Sequence, residues 1–217
     1  MGDPAIRVRW AEVRDAEAIL RVYAPYVETP VTFETRVPRL DEFEDRMKGI
    51  VLDYPYLVAE DHGEIVGFAY AHRIGERDAY AWNAELSVYL DRAHCKRGWG
   101  RALSQAVIDL LALQGVRNVF SLITVPNAAS VKMHERLGFT HMGTQRRAGY
   151  KCGGWHDVAW MQKQLGGFEG EPRRRSTVQE IDWTKRQAAL LEAERAIGGT
   201  GEPIMPKIRG RRAHAGS

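Results

Sequence analysis

A predicted strand that leads through a glycine turn into a helix is the feature that most limits what this chain can fold into. Residues 84–90 alternate between apolar and other side chains, and Arg97-Gly98-Trp99-Gly100-Arg101 follows after a few polar residues and opens an apolar helix. The first backbone N–H groups of a helix have no partner within it, and they lie at the positive end of the helix dipole. The sequence therefore predicts an anion-binding turn between a strand and a helix.

Two familiar phosphate-binding loops do not fit this turn. A mononucleotide loop closes with Gly-Lys-Ser or Gly-Lys-Thr, whereas Gly100 is followed by arginine and alanine. A dinucleotide loop has a third glycine and an acidic residue at the end of the next strand, but position 103 is leucine and residues 118–124 contain no acidic residue. A phosphate site of another kind and an ordinary tight turn both stay compatible with this pattern.

Length and composition limit the domain organisation. The chain has 217 residues, of which 44% are hydrophobic, and this is enough for one well-buried domain with an appendage. Cys95 and Cys152 show neither zinc spacing nor a disulfide framework, which favours a reducing, cytoplasmic location and predicts no metal site. No apolar run reaches the roughly 18 residues of a membrane helix, so no membrane partner is expected.

Strand and helix patterns alternate along residues 1–165, which predicts one α/β or α+β domain. The strand patterns cover residues 6–10, 56–60, 64–71, 84–90, 118–124, 139–143 and 155–162, and the helix patterns cover residues 15–26, 40–48, 99–114 and 127–138. Gly49 is expected to end the second helix, and a glycine-rich connection is expected between the last two strands.

The remaining residues, 166–217, differ in composition from the main domain. They predict a polar linker, an isolated helix over about residues 176–197 and a disordered end. The net charge of +3 comes from this tail, because acidic and basic residues balance in residues 1–165. The two short basic clusters of the tail lack interleaved aromatic residues, so no nucleic-acid partner is expected.

A second motif follows the glycine turn. Asn127 is suited to cap the helix that ends at Gly138, and His134 lies seven residues after Asn127, which is two helical turns. Both side chains are therefore expected on one face of this helix.

The glycine turn and this helix, in this order and at this separation, resemble the GNAT superfamily of acyl-CoA-dependent N-acetyltransferases. Further segments resemble the phosphinothricin and methionine sulfoximine N-acetyltransferases within it, and the likeness covers residues 6–165. These segments are Val31–Thr35, Tyr54–Glu60, Ala79–Trp82, Val125–Asn127, Arg147–Lys151 and Trp155–Val158.

The resemblance implies the GNAT fold. This is a mixed, mostly antiparallel sheet of six to seven strands, splayed around the cofactor and flanked by about four helices, to which this chain adds a C-terminal helical extension. It also implies acetyl-CoA as co-substrate, a small-molecule amine as acceptor, no metal and, by analogy, a homodimer.

The resemblance further implies which residues act. Glu85 aligns with the general base that takes the proton of the amine, and His134 stands where the departing thiolate receives a proton or a relay operates. The implied cofactor-binding residues are Val88, Tyr89 and Leu90 along the pantetheine arm, Lys96, Arg97, Gly98, Trp99, Gly100 and Arg101 at the pyrophosphate, and Asn127 further along. The implied acceptor-binding residues are Phe33, Arg77 and Tyr80, of which Arg77 is suited to grip a carboxylate.

Each role has a structural alternative at this point. The pattern also fits a purely structural role at each position. These roles are an ion pair for Glu85, packing within the helix for His134, helix capping alone for Asn127 and a surface charge for Arg77. The sequence also departs from the family pattern at Cys95, where glutamine or arginine is usual, and at residues 72–76, which lack the usual aromatic and basic residues.

These features together predict acetylation of the α-amine of a small amino acid or analogue, such as phosphinothricin, methionine sulfoximine or methionine sulfone, by direct attack in a ternary complex. Two alternatives remain. One is the same fold acting on a polyamine, a peptide N-terminus or an antibiotic, and the other is a non-catalytic acyl-CoA-binding module.

Overall fold

The computed structural model describes residues 6–198, which form seven strands and five helices joined by loops and short 3-10 turns. The elements are β1 Ile6–Trp10, α1 Ala16–Val27, α2 Leu40–Val51, β2 Tyr56–Asp61, β3 Glu64–Arg73, β4 Asn83–Leu90, α3 Trp99–Gln114, β5 Asn118–Val125, α4 Ala128–Arg136, β6 Thr140–Lys151, β7 Gly154–Gln164 and α5 Trp183–Gly198.

All seven strands belong to one sheet, in the order β1-β2-β3-β4-β5-β7-β6. Neighbouring strands are antiparallel except β4 and β5, which are parallel. The parallel pairing covers only residues 83–85 against residues 118–120. The two strands therefore separate beyond Glu85, and the predicted mixed, splayed sheet is confirmed.

The two faces of the sheet carry different helices. Leu86 and Leu90 of β4 pack in the hydrophobic cluster that contains the apolar side of α3, and Tyr89 packs in the second cluster, with α1 and α2. Successive side chains of a strand alternate between its faces. Glu85, four residues before Tyr89, therefore lies on the side of α1 and α2, while the helix after the glycine turn lies on the other side.

Several local predictions are confirmed. α3 has the predicted bounds, and Gly115 ends it with a φ of 86°, a left-handed conformation that glycine adopts without steric penalty. Asn127 caps α4, because its side-chain oxygen accepts the backbone N–H of Ser130 at 3.2 Å.

Two boundary predictions are wrong. α2 continues through Gly49 to Val51, because Ile50 and Val51 pack against the second cluster and this packing outweighs the roughly 1 kcal/mol that a glycine costs a helix. The expected glycine-rich connection between the last strands is mostly strand, since β6 pairs with β7 as far as Lys151. An irregularity between Gln145 and Gly149 absorbs the residues that do not fit the ladder.

The helix expected to be isolated packs against the domain. Ile181, Leu190, Ala193 and Ile197 are buried in the cluster that also contains α3. The linker is anchored as well, because Gln114 of α3 donates a hydrogen bond to the carbonyl oxygen of Ser176 at 2.8 Å. The expected disordered end, beyond residue 198, lies outside the described residues.

Candidate active site

The separation of β4 from β5 opens one edge of β4. Val88, Tyr89 and Leu90 pair with β3 on one side, but no strand among residues 6–198 pairs with them on the other. The carbonyl oxygen of Leu90 accepts a hydrogen bond from the Tyr26 hydroxyl at 2.6 Å. The cleft therefore exposes a strand edge that can bind an extended, amide-containing ligand.

The glycine turn lies at the mouth of this cleft. Gly98, with a φ of 88°, precedes the first residue of α3, and Lys96 also has a positive φ, of 64°. A side chain at position 100 would approach Leu90 to 3.3 Å and the Met133 sulfur to 3.4 Å, so β4, α3 and α4 meet at this glycine. The close approach favours glycine at position 100. The first backbone N–H groups of α3 have no acceptor within the helix, so they can bind an anion.

The side chains of the turn divide into two sets. Lys96 and Arg97 are exposed and Arg101 is half-buried, so their charge can reach an anion at the turn. The Trp99 side chain is 1% exposed and packs edge-on against His94, whose Nε2 lies 3.0 Å from Asp61. Trp99 thus anchors the turn in the core and could contact an anion only through its backbone.

Cys95, the unusual first residue of the motif, is half-buried. Its sulfur lies 3.9 Å from the hydroxyl of Tyr26 and packs beside the main core. It contributes no charge where the family pattern has arginine or glutamine, and the exposed Lys96 and Arg97 are the nearest replacements along the chain.

Glu85 lies where β4 and β5 part. Its side chain is 20% exposed, and burial raises the pKa of this carboxyl above its ordinary value. His72 of β3 is its direct cross-strand neighbour, with Nε2 at 3.8 Å from the carboxylate, and opposes part of this pKa rise. A carboxylate with a raised pKa is a better proton acceptor than an exposed one.

His134 is buried in α4, at 2% exposure, with its ring edge-on to Phe139. Its Nδ1 lies 2.9 Å from the carbonyl oxygen of Ser130, and because a carbonyl only accepts, Nδ1 carries the proton. Burial lowers the pKa of this imidazole, so it is neutral near pH 7. Its Nε2 is buried and has no hydrogen-bond partner among the described residues, which leaves an acceptor available for a ligand or for water.

A cavity of about 80 Å³ lies between the sheet and the helices α1 and α2, on the same face as Glu85. Most of its lining is aromatic: the residues are Tyr23, Glu34, Phe43, Arg46, Met47, Ile50, Tyr56, Phe68, Tyr70 and Tyr89. Its two charged residues, Glu34 and Arg46, form an ion pair with each other. Sequence reasoning missed this cavity, although β3 carries two of its aromatic residues, Phe68 and Tyr70, at alternate positions.

The three expected acceptor-binding residues do not line this cavity. The Phe33 ring covers Gly149 of β6, where a Cβ would come within 2.5 Å of the ring. Arg77 is exposed, and the Tyr80 ring lies against Gly75 in the loop after β3. Arg77 and Tyr80 thus lie in the exposed connection between β3 and β4, and Phe33 lies against β6.

Residues 6–198 contain no group of three or more histidine, cysteine, aspartate or glutamate side chains able to hold a metal ion. They also contain no helix that is both long and apolar enough to span a membrane.

The chain is similar to known acetyltransferases over about three quarters of its length. Residues 8–160 match the acetyltransferase (GNAT) domain family. The phosphinothricin N-acetyltransferase of Streptomyces viridochromogenes is 38% identical over 161 residues, which cover 74% of this chain and 88% of that protein. The L-methionine sulfoximine/L-methionine sulfone acetyltransferase of Salmonella typhimurium is 34% identical over 163 residues, covering 73% and 94%.

Solved structures agree with these sequence matches. A GNAT superfamily phosphinothricin acetyltransferase from Sinorhizobium meliloti, in complex with acetyl-CoA, superposes with a TM-score of 0.74 at 31% identity. That match covers 78% of this chain and 94% of the other.

Proposed function

This chain belongs to the GNAT acetyltransferase family, and we propose that it transfers the acetyl group of acetyl-CoA to the α-amine of a small amino acid or amino-acid analogue. The relatives named above act on phosphinothricin and on methionine sulfoximine or sulfone. The observation that carries the proposal is the position of Glu85, a largely buried carboxylate where β4 and β5 part, beside both the cleft and the aromatic cavity.

Glu85 is the proposed general base. An α-amine has a pKa of about 8, so most of it is protonated at neutral pH and cannot attack a thioester. The carboxylate would remove this proton, directly or through one water molecule, and its raised pKa matches it to the task. Attack by the neutral amine on the thioester carbonyl of bound acetyl-CoA then transfers the acetyl group in a ternary complex.

The cleft residues are the proposed acetyl-CoA site. The open edge of β4 at Val88, Tyr89 and Leu90 suits the amides of the pantetheine arm, and the turn from Lys96 to Arg101 suits the pyrophosphate. Gly100 lets the start of α3 pack closely against β4 and α4, since a Cβ there would lie 3.3 Å from Leu90 and 3.4 Å from the Met133 sulfur. Asn127 keeps its capping role and is proposed to contact acetyl-CoA as well.

His134 is proposed as a relay rather than as a permanent acid. Its proton is on Nδ1, and its free Nε2 is an acceptor, so at neutral pH it can orient a water molecule or receive a proton in transit. The lowered pKa disfavours a standing imidazolium.

The aromatic cavity is the proposed pocket for the side chain of the acceptor. Because Glu34 and Arg46 neutralise each other, the described lining offers no unpaired cation for an anionic group. Methionine sulfone and methionine sulfoximine have neutral side chains, whereas phosphinothricin carries an anionic phosphinate. We therefore expect the neutral analogues to be the better acceptors, with Phe33, Arg77 and Tyr80 at the entrance and Arg77 near the carboxylate.

Thiol release from acetyl-CoA in the presence of an amine panel tests the proposed function. The panel holds methionine sulfone, methionine sulfoximine, phosphinothricin, a polyamine and a short peptide, and the acetylated product is identified by mass. Glu85→Gln should lower kcat at least a hundredfold with little change in the KM for acetyl-CoA, whereas Glu64→Gln, at an exposed position of β3, should leave both unchanged.

An unchanged kcat in Glu85→Gln would remove this residue from the mechanism. Preferential acetylation of the polyamine or the peptide would favour a different acceptor. Absence of turnover with every amine, together with binding of acetyl-CoA, would favour an acyl-CoA-binding module instead.

The partners and the domain boundary are also proposals. A cytoplasmic homodimer is proposed, with no membrane or nucleic-acid partner. Met142, Tyr150 and Trp155 are large exposed side chains on β6 and β7 at the edge of the sheet, and a second copy would cover them there. Trp155→Lys should then reduce the mass measured by light scattering to that of a monomer.

We also retain residue 165 as the end of the acetyltransferase domain proper. The family match ends at residue 160, close to this boundary. In this division α5 is an addition that packs on the domain.

A further inference from the structure

His72 is the cross-strand neighbour of Glu85, and its side chain is the more exposed of the two. The two residues are direct partners in the β3–β4 ladder, and Nε2 of His72 lies 3.8 Å from the nearer carboxylate oxygen. The imidazole is held in place, since its Nδ1 lies 2.9 Å from the carbonyl oxygen of Arg73 and its ring centroid is 5.8 Å from that of Tyr70. The His72 side chain is 34% exposed, against 20% for Glu85.

The contacts of the imidazole determine where its proton lies. The Arg73 carbonyl oxygen only accepts a hydrogen bond, so Nδ1 carries a proton and, in the neutral ring, Nε2 carries none. Nε2 then faces a carboxylate oxygen, which also only accepts when ionised. The pair is favourable when one proton lies between the two atoms, either on Glu85 or on Nε2. Their separation of 3.8 Å is about 1 Å longer than a charge-assisted hydrogen bond, so proton transfer requires the two side chains to approach each other by that amount.

The other groups near Glu85 do not compete for this proton. Tyr70 and Tyr89 lie on the same face of the sheet, and burial raises the pKa of Tyr70 to about 12 and that of Tyr89 well above its ordinary value, so both phenols stay neutral. On the β5 side, Phe120 pairs with Glu85 and has no titratable group. Among the described residues, His72 is therefore the neighbour of Glu85 with a ring nitrogen placed to accept its proton.

We propose that His72 is a positioning residue for Glu85 and the outlet through which Glu85 passes on the proton of the amine, an inference that rests on the proposed function. The N–H bond of the ammonium breaks as the O–H bond of the Glu85 carboxyl forms. That O–H breaks as an N–H bond forms at Nε2 of His72, which gives an imidazolium. The imidazolium releases its proton to water, which leaves Glu85 ionised for the next turnover, and no other reactant is required.

The pH dependence of kcat/KM for the acceptor tests this proposal, measured by thiol release with methionine sulfone. In His72→Gln the imidazolium no longer favours the charged form of Glu85, so the acidic limb should move upward by about half to one pH unit. We expect kcat to fall severalfold at the optimum, with the KM for acetyl-CoA unchanged. His141→Gln, at an exposed histidine of β6, is the matched control and should follow the wild-type profile.

A second substitution separates proton transfer from a structural role. His72→Asn retains a polar group near the carbonyl oxygen of Arg73, and His72→Gln retains a polar group near Glu85. Neither of these amide side chains can exchange a proton. Both variants should shift the acidic limb in the same direction, and thermal melting establishes that each is folded.

A loss by the same factor at every pH, or two profiles that coincide with the wild type, would overturn the role of His72 while leaving the proposed function intact. Absence of turnover by the wild-type protein with every amine would overturn the proposed function, and this inference with it.

Discussion

Removal of one buried leucine from the C-terminal helix is expected to destabilise the whole acetyltransferase domain. Leu190 of α5 is 5% exposed and lies in the cluster that contains α3, whose first turn is part of the proposed acetyl-CoA site. Its neighbour Leu191 is 48% exposed. The two leucines are adjacent residues of the same helix. A comparison of their alanine variants therefore isolates the effect of burial on stability.

The magnitude follows from this difference in burial. Replacing a buried leucine by alanine removes three side-chain carbon atoms from the core and leaves a cavity, which costs about 2–5 kcal/mol. Leu190→Ala should therefore lower the free energy of unfolding by about 3 kcal/mol, or Tm by roughly 6–12 °C for a chain of this size. Leu191→Ala should change the free energy of unfolding by less than about 0.5 kcal/mol.

Urea unfolding of the full-length protein, followed by tryptophan fluorescence, measures both effects. A single transition that moves to lower urea in Leu190→Ala, with an unchanged m-value, would show that α5 unfolds together with the domain. Equal small shifts in the two variants would refute the reasoning. An early, separate transition would show that α5 unfolds independently.

Three further outcomes follow from the site. Glu34→Gln leaves Arg46 without its partner, so the ratio of kcat/KM for phosphinothricin to that for methionine sulfone should rise about tenfold, and an unchanged ratio would exclude this ion pair from acceptor selection. Burial lowers the pKa of His134 from an ordinary 6.5, so below that pH the unfolded chain binds a proton that the native protein does not. The free energy of unfolding should fall with falling pH by up to about 1.4 kcal/mol per pH unit, and urea titrations should show a shallower slope for His134→Gln. Gly98→Ala places a residue with a Cβ in the left-handed conformation before α3, which should lower the free energy of unfolding by roughly 1–2 kcal/mol and raise the KM for acetyl-CoA. A wild-type free energy of unfolding together with a wild-type KM would contradict the assigned backbone role.

Local patterns located the motifs because their signals are short-range. The glycine turn, the bounds of α3 and the Asn127 cap depend on backbone conformations and hydrogen bonds within a few residues, and the sequence states these directly. The same reasoning failed at Gly49 and in β6, where contacts with distant residues outweigh local preference. It also failed for α5, whose few apolar residues suffice because α3 offers a matching surface.

By itself, the sequence predicted the mixed α/β class and a glycine turn before α3, and its resemblance to a known family supplied the candidate pair Glu85 and His134. Only the tertiary structure decided how these residues are protonated and what surrounds them, because burial and cross-strand partners set both. It placed His72 opposite Glu85, left Nε2 of His134 without a partner among the described residues, and joined aromatic residues from five elements into one cavity. Such juxtapositions depend on strand register and helix packing between residues that are far apart in the chain, and no local pattern encodes them.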